Sequence, residues 1–191
     1  MAALKERMAQ FISLTSEEYD YFYQQLTIKK VKKKEKLLQE GEICTHAFYL
    51  LEGCIRYYTV VEGEEHTGQF FFEGSWYSDY DSFLSQMPSK QYIETLEKTK
   101  VAMLSKKTLE HLYTKIPKFE RFGRLMAERA YLGARKKNET LTLLSAEERY
   151  LHLIQQRPKV VERVPQHYIA SYLGIKPPSL SRIRKRLAQN R

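Results

Sequence analysis

Apolar and polar positions change their period once along this chain. From Thr27 to Leu104 the apolar residues come in short runs: HAFYLLEG (46–53), CIRYYTVVEGEE (54–65), HTGQFFFEG (66–74), KQYIETLEKT (90–99) and KVAMLS (100–105). Each is rich in aromatic and branched side chains and is bounded by turn residues, which predicts strands. LEGC and VEGEE read as compact hairpin connections. Evenly spaced short strands with little helix between them predict a sandwich or barrel of the jelly-roll kind. Ahead of them, Ala2 to about Leu26 reads as one or two short helices, with Ser13 and Thr15 as candidate N-caps.

After Ser105 the period becomes helical. SKKTLEHLYTKI (105–116) predicts a short helix. Pro117 then opens a stretch to Leu144 with no internal proline, a helix of about 42 Å at 1.5 Å per residue. Phe119, Phe122, Leu125, Met126, Leu132, Leu141 and Leu144 give it more apolar surface than one small barrel can cover. Self-association through 117–144 is therefore expected, although 135–140 is polar all round. SAEE at Ser145–Glu148 is a capping box and starts a new unit, AEERYLHLIQQR. PKVVERVP (158–165) reads as a short polar connection. The expected division is a strand-rich unit with its flanking helices over 1–116, a long self-associating helix over 117–144 and a further helical unit over 145–191.

The last stretch, QHYIASYLGIKPPSLSRIRKRLAQNR (166–191), carries the most specific pattern. Ile169 and Leu173 share one helical face, and Ala170 beside them is small enough for a second helix to cross closely. Gly174 supplies the left-handed conformation that ends a helix. Leu180, Ile183 and Leu187 form the apolar face of a second helix, whose first turn tolerates Pro177 and Pro178 because its N–H groups lack partners. This is the pattern of a helix-turn-helix. With the seam inward, Pro178, Ser181, Arg182 and Lys185 point outward, flanked by Ser179 and Arg186. Arg182 can donate bidentately to a guanine edge. Arg184, Lys185 and Arg186 suit phosphates, and Gln166, His167 and Lys176 complete the phosphate or flanking set.

A net charge of +9 agrees with a polyanionic partner but does not name one. No apolar run approaches the roughly 18 residues of a membrane span, so a cytoplasmic protein with no membrane partner is expected. Cys44 and Cys54 fit neither a disulfide framework nor a metal-ligand spacing. The histidines, at 46, 66, 111, 152 and 167, lack the clustered spacing of a cupin metal site. No nucleophile elbow or phosphate-binding glycine loop occurs. No catalytic residue, metal or cofactor is expected, and the chain is not read as an enzyme. The lysine-rich run KKVKKKEKLL (29–38) suits a solvated strand edge. A competing possibility is a ligand-binding module that acts through protein partners, its basic tail not a specific DNA reader.

IASYLGIKPPSLSRIRKRL resembles the recognition motif of the Crp–Fnr (cyclic-AMP receptor protein-like) bacterial transcription regulators. FYLLEGCIRYYTVVEGEEHTGQFFFEGSW resembles their cyclic-nucleotide-binding-type barrel, and PKFERFGRLMAERAYLGARKKNETLTLLSAEER their dimer helix and hinge. The resemblance covers nearly the whole chain. It implies an α+β fold: an N-terminal jelly-roll barrel, a long dimerisation helix, and a C-terminal winged-type helix-turn-helix with a reduced wing. It also implies a homodimeric regulator on a pseudo-palindromic operator, meeting RNA polymerase if it is an activator.

Residue by residue, the resemblance places Ser179, Ser181 and Arg182 at positions that touch bases. Pro178 stands where many members carry a base-reading Glu, and Lys176 where a Ser or Thr caps the helix. In the sensor barrel, the ribose-holding Gly-Glu pair falls at Gly74-Ser75-Trp76. The phosphate-holding Arg-Ser pair falls near Gln91-Tyr92, or at Ser89-Lys90 under a shifted alignment. Ala134-Arg135 replace the base-contacting Thr-Ser pair. Cyclic AMP is therefore not the expected effector. Gly74, Ser75, Trp76, Tyr77, Ser89, Lys90, Gln91, Tyr92 and Arg135 remain the candidate lining for an unidentified one. Trp76, Tyr77 and Tyr80, with Phe70–Phe72, read as barrel core in preference to an apolar-aromatic pocket.

Overall fold

The computed structural model describes residues 2–189. Met1, Asn190 and Arg191 lie outside the described residues, and with them the last arginine of the basic run. The chain divides into two compact units, Met1–Arg56 with Phe71–Tyr131 and Tyr57–Phe70 with Leu132–Arg191.

The first unit begins with helices α1 (Ala2–Ala9) and α2 (Ser16–Gln24). Thr15 supplies the N-cap of α2, and Glu18 closes a capping box with it. A long helix, α5 (Lys118–Leu143), starts in this unit and buries Phe119 and Phe122. The Phe22 and Phe119 rings lie 5.0 Å apart, and Phe11 meets Phe122 edge-on at 5.7 Å. Such aromatic contacts contribute beyond their buried area. Helix α2 and the segment that follows α1 are held to α5 in this way.

Two antiparallel four-stranded sheets form the jelly roll. One contains β1 (Thr27–Val31), β8 (Thr99–Ser105), β3 (His46–Glu52) and β6 (Trp76–Tyr77) in that order. The other runs β2 (Lys36–Leu38), β7 (Tyr92–Thr95), β4 (Cys54–Val61) and β5 (Glu64–Phe72). Leu50, Ile55, Ile93 and Val101 between them are fully buried. VEGEE is the β4–β5 hairpin, with Glu62 and Gly63 both at positive φ (52° and 79°), as a tight type I′ connection requires. LEGC is not a hairpin. β3 and β4 lie in different sheets, and Gly53 at φ 97° carries the chain from one to the other. A Cβ at Gly53 would lie 2.8 Å from the Lys98 carbonyl oxygen, so the turn has no room for a side chain. Helices α3 (Tyr80–Ser85) and α4 (Lys106–Lys115) complete this unit; α3 lies inside the stretch expected to be strand-like throughout.

The second unit combines the hairpin tip with the end of α5, α6 (Ala146–Gln156), α7 (Pro158–Arg163), α8 (Gln166–Tyr172) and α9 (Pro177–Gln189). Ser145 and Glu148 form the expected capping box at α6. The segment from Pro158 is a helix rather than an irregular connection: Pro158 occupies its first turn and Val160 is fully buried. Between α6 and α8 the described residues form this helix and no strand. Tyr150, Leu153, Val160, Val164, Ile169 and Leu173 make the core of the unit. Among the described residues, no helix is long and apolar enough to cross a membrane.

Candidate nucleic-acid interface

Helix α8 ends in a Schellman motif. The Ile175 N–H donates to the Ala170 carbonyl at 3.0 Å, the Gly174 N–H to Ser171 at 3.1 Å, and Gly174 sits at φ 67°. A side chain is strained at that φ, so glycine sets the direction in which the chain leaves the first helix. Helix α9 then begins with two residues that have no N–H to satisfy. The Lys176 carbonyl accepts the next two donors, Ser179 at 3.0 Å and Leu180 at 3.3 Å. Ile169, Ala170, Leu173, Leu180 and Ile183 are at most 7% exposed and form the seam between α8 and α9.

The opposite side of α9 is open. Pro178, Ser181, Arg182 and Lys185, spaced i, i+3, i+4 and i+7, are exposed along one face. The Arg182 Nη2 donates to the Ser179 Oγ at 3.3 Å, which sets these two side chains side by side. Arg184 is exposed, as are Gln166 and His167 in the first turn of α8; the His167 ring lies 4.0 Å from that of Tyr168. Two of the candidate phosphate contacts have acidic partners. Lys176 holds both Glu64 oxygens at 2.6 and 2.7 Å, and Arg186 pairs with Glu147. Lys176 in turn holds the Glu64 carboxyl below its usual range. Exposed ion pairs contribute roughly 0–1 kcal/mol, so a phosphate can displace either carboxylate.

Residues 28–115 match the cyclic nucleotide-binding domain family. No curated protein matches the chain. Among solved structures, FixK2 from Bradyrhizobium japonicum superposes with a TM-score of 0.76 at 20% identity, over 86% of this chain and 85% of that one. A protein of the crp/fnr family from Eubacterium rectale gives 0.72 at 14% identity, over 93% and 85%. The c-di-GMP responsive global regulator CLP of Xanthomonas campestris gives 0.71 at 16%, over 92% and 93%.

The chain has the Crp–Fnr fold. Within it, the candidate effector residues do not converge on one site. Gly74 and Ser75 form a backbone turn tied to β3, through Gly74 N–H to Leu50 O at 2.9 Å and Leu50 N–H to Ser75 O at 3.0 Å. Trp76 packs against Tyr49 and Phe122 at 5.2 and 5.7 Å. Tyr77 stacks on Phe71 at 4.2 Å and donates to Gln91 Oε1 at 2.8 Å. The Gln91 N–H donates to Ser89 Oγ at 2.9 Å. Tyr77, Gln91 and Ser89 are thus brought together. Lys90 is exposed; Tyr92 donates to Glu40 at 3.2 Å, and Arg135 is exposed and paired with Glu139 at 2.9 Å.

Sequence reasoning missed two barrel residues of this Crp–Fnr fold. Asp79, 3% exposed at the N-terminus of α3, accepts the Ser89 hydroxyl at 2.6 Å, while its Oδ1 is buried without a hydrogen-bond partner. An acid placed before an overlooked helix was the available signal. Arg56, 1% exposed, donates through Nε to Glu94 Oε2 at 2.8 Å, with Nη2 at 2.7 Å. No local pattern marks this pair, which the β4–β7 pairing creates. The guanidinium is already neutralised and is not poised for a cyclic phosphate. The aromatic cavity lined by Trp76, Tyr77, Tyr80 and Phe122 has about 60 Å³, well below the roughly 300–1,000 Å³ of small-molecule pockets.

Proposed function

We propose that this chain is a homodimeric, sequence-specific DNA-binding transcription regulator. Residues 1–116 serve as its sensor domain, 117–144 pair two chains, and 145–191 read DNA. The observation that carries this is the exposed Pro178–Ser181–Arg182–Lys185 face of α9, presented by a helix whose other side is buried on α8. Small side chains near the start of α9 let that end approach base edges, and Arg182 provides the bidentate donor for guanine. Ser179 and Ser181 supply hydroxyls beside it. Lys176, Arg184, Lys185 and Arg186, with Gln166 and His167, meet phosphates and sugars and so set register and salt sensitivity.

In a dimer the two recognition helices sit about 34 Å apart, one DNA turn. Selection from a random DNA pool should therefore recover a pseudo-palindrome. Arg182→Ala should weaken binding to the selected site by about 1–3 kcal/mol and relax preference at one base pair of each half-site. Equal weakening on every sequence would remove Arg182 from the base-reading set. Failure to enrich any palindrome would remove the regulator reading itself.

A further inference from the structure

The second unit contains a cavity of about 290 Å³ between α5, α6, α8 and β5. Lys136, Lys137, Arg149, His152 and Arg157 line it, and no Asp or Glu does. The donors of the three more enclosed cations go to neutral acceptors. Lys137 donates to the Thr67 carbonyl at 3.0 Å and to that of Gly68, and its Nζ sits 4.7 Å from the centre of the Tyr172 ring. Arg157 donates to the Phe70 carbonyl at 2.6 Å and to the side-chain oxygen of Gln69. Arg149 donates through Nη1 to the carbonyls of Leu141 and Leu144 at 3.1 and 3.0 Å. These bonds satisfy donors but leave the positive charges without counter-charge. Arg149 Nε is buried and has no hydrogen-bond partner.

Like charges gathered around a sheltered cavity are tolerated at a cost that an anion would remove. We propose that this cavity binds a small phosphate-bearing anion, contacted by Lys136, Lys137, Arg149 and Arg157. A phosphate brings close to two negative charges and several acceptor oxygens, matching two guanidinium and two ammonium groups better than a single carboxylate does. Leu153 and Leu173 add an apolar wall, which leaves room for a short organic portion. The site is distinct from the outward face of α9, and the proposal stands whether or not that face reads DNA.

Isothermal titration calorimetry on the full chain, without DNA, tests it with inorganic pyrophosphate and ribose 5-phosphate as probes at one ionic strength fixed with sodium chloride. The expected result is saturable binding of at least one probe, one per chain, weakened about tenfold or more in Lys136→Gln and in Arg149→Gln. Lys107→Gln, an exposed change on α4, should leave it unchanged. Arg149 also ties down the end of α5, so Lys136→Gln, at an exposed position, keeps the test decisive if Arg149→Gln fails to fold. Tighter ribose 5-phosphate indicates an organic phosphate and tighter pyrophosphate an inorganic one; either supports the site. Absence of saturable binding, or binding that Lys136→Gln leaves intact, overturns it.

Discussion

Lys137 illustrates how much a single residue's chemistry depends on packing. In sequence it is one lysine in a basic stretch, indistinguishable from Lys136. In the structure it is sheltered under Tyr172 and bonded to the hairpin carbonyls, and burial, with Arg157 nearby, pushes its ammonium down to about 8. Below pH 8 the folded and unfolded chains both carry the proton, and the cost of burying the charge is present in full. Between about 8 and the unfolded value near 10.5 the folded chain releases the proton first, so stability rises with pH. Lys137→Met has no such titration. The Tm of the wild type relative to Lys137→Met should therefore climb between pH 7.5 and 9.5, and a constant gap would show that Lys137 titrates normally. Arg182 and Ser181, by contrast, were placed outward from the sequence alone, because an apolar face of a short helix defines its opposite. Asp79 and Ser89, ten residues apart, meet only because the chain turns back between them.

At the scale of elements, the long helix and the capped helix after it were legible because caps and apolar periods are local. The α7 segment was not: PKVVERVP is too short to show a period, and its helical state rests on burying Val160 and Val164 in the unit's core. LEGC failed for a related reason. A glycine at positive φ marks a turn, but whether the next strand pairs or crosses to another sheet depends on partners far along the chain, β8 for β3 and β7 for β4. Helix α5 leaves Tyr131, Leu132 and Leu143 exposed at 67%, 59% and 76%. Adjacent large apolar side chains on an open helix face suit a second copy of the helix. Leu132→Arg should shift the chain toward monomer in sedimentation velocity while the far-UV circular dichroism spectrum stays unchanged. A dimer that persists would place the pairing surface elsewhere.

For the whole molecule, charge and architecture act together. On the proposed reading, the net charge of +9 gives general attraction to DNA, and the cations on the open face of α9 add salt-sensitive contacts at a defined register. Lys185→Ala should reduce the slope of log K against log salt by about 1 while leaving base preference unchanged, measured by fluorescence anisotropy on the selected site. A slope that does not move would mean that Lys185 meets no phosphate. The sequence by itself determined the order of the parts: helices, short strands, one long helix, and a glycine-broken helix pair with a basic outward face. It did so because hydrophobic period, caps and turn residues act within a few positions of one another. Only the tertiary structure decided which strands share a sheet, that the β4–β5 hairpin tip belongs with the C-terminal helices, and that Lys136, Lys137, Arg149 and Arg157 enclose a cavity with no acid to balance them. Each of these joins residues tens of positions apart, and no local pattern records which distant partner a buried side chain will meet.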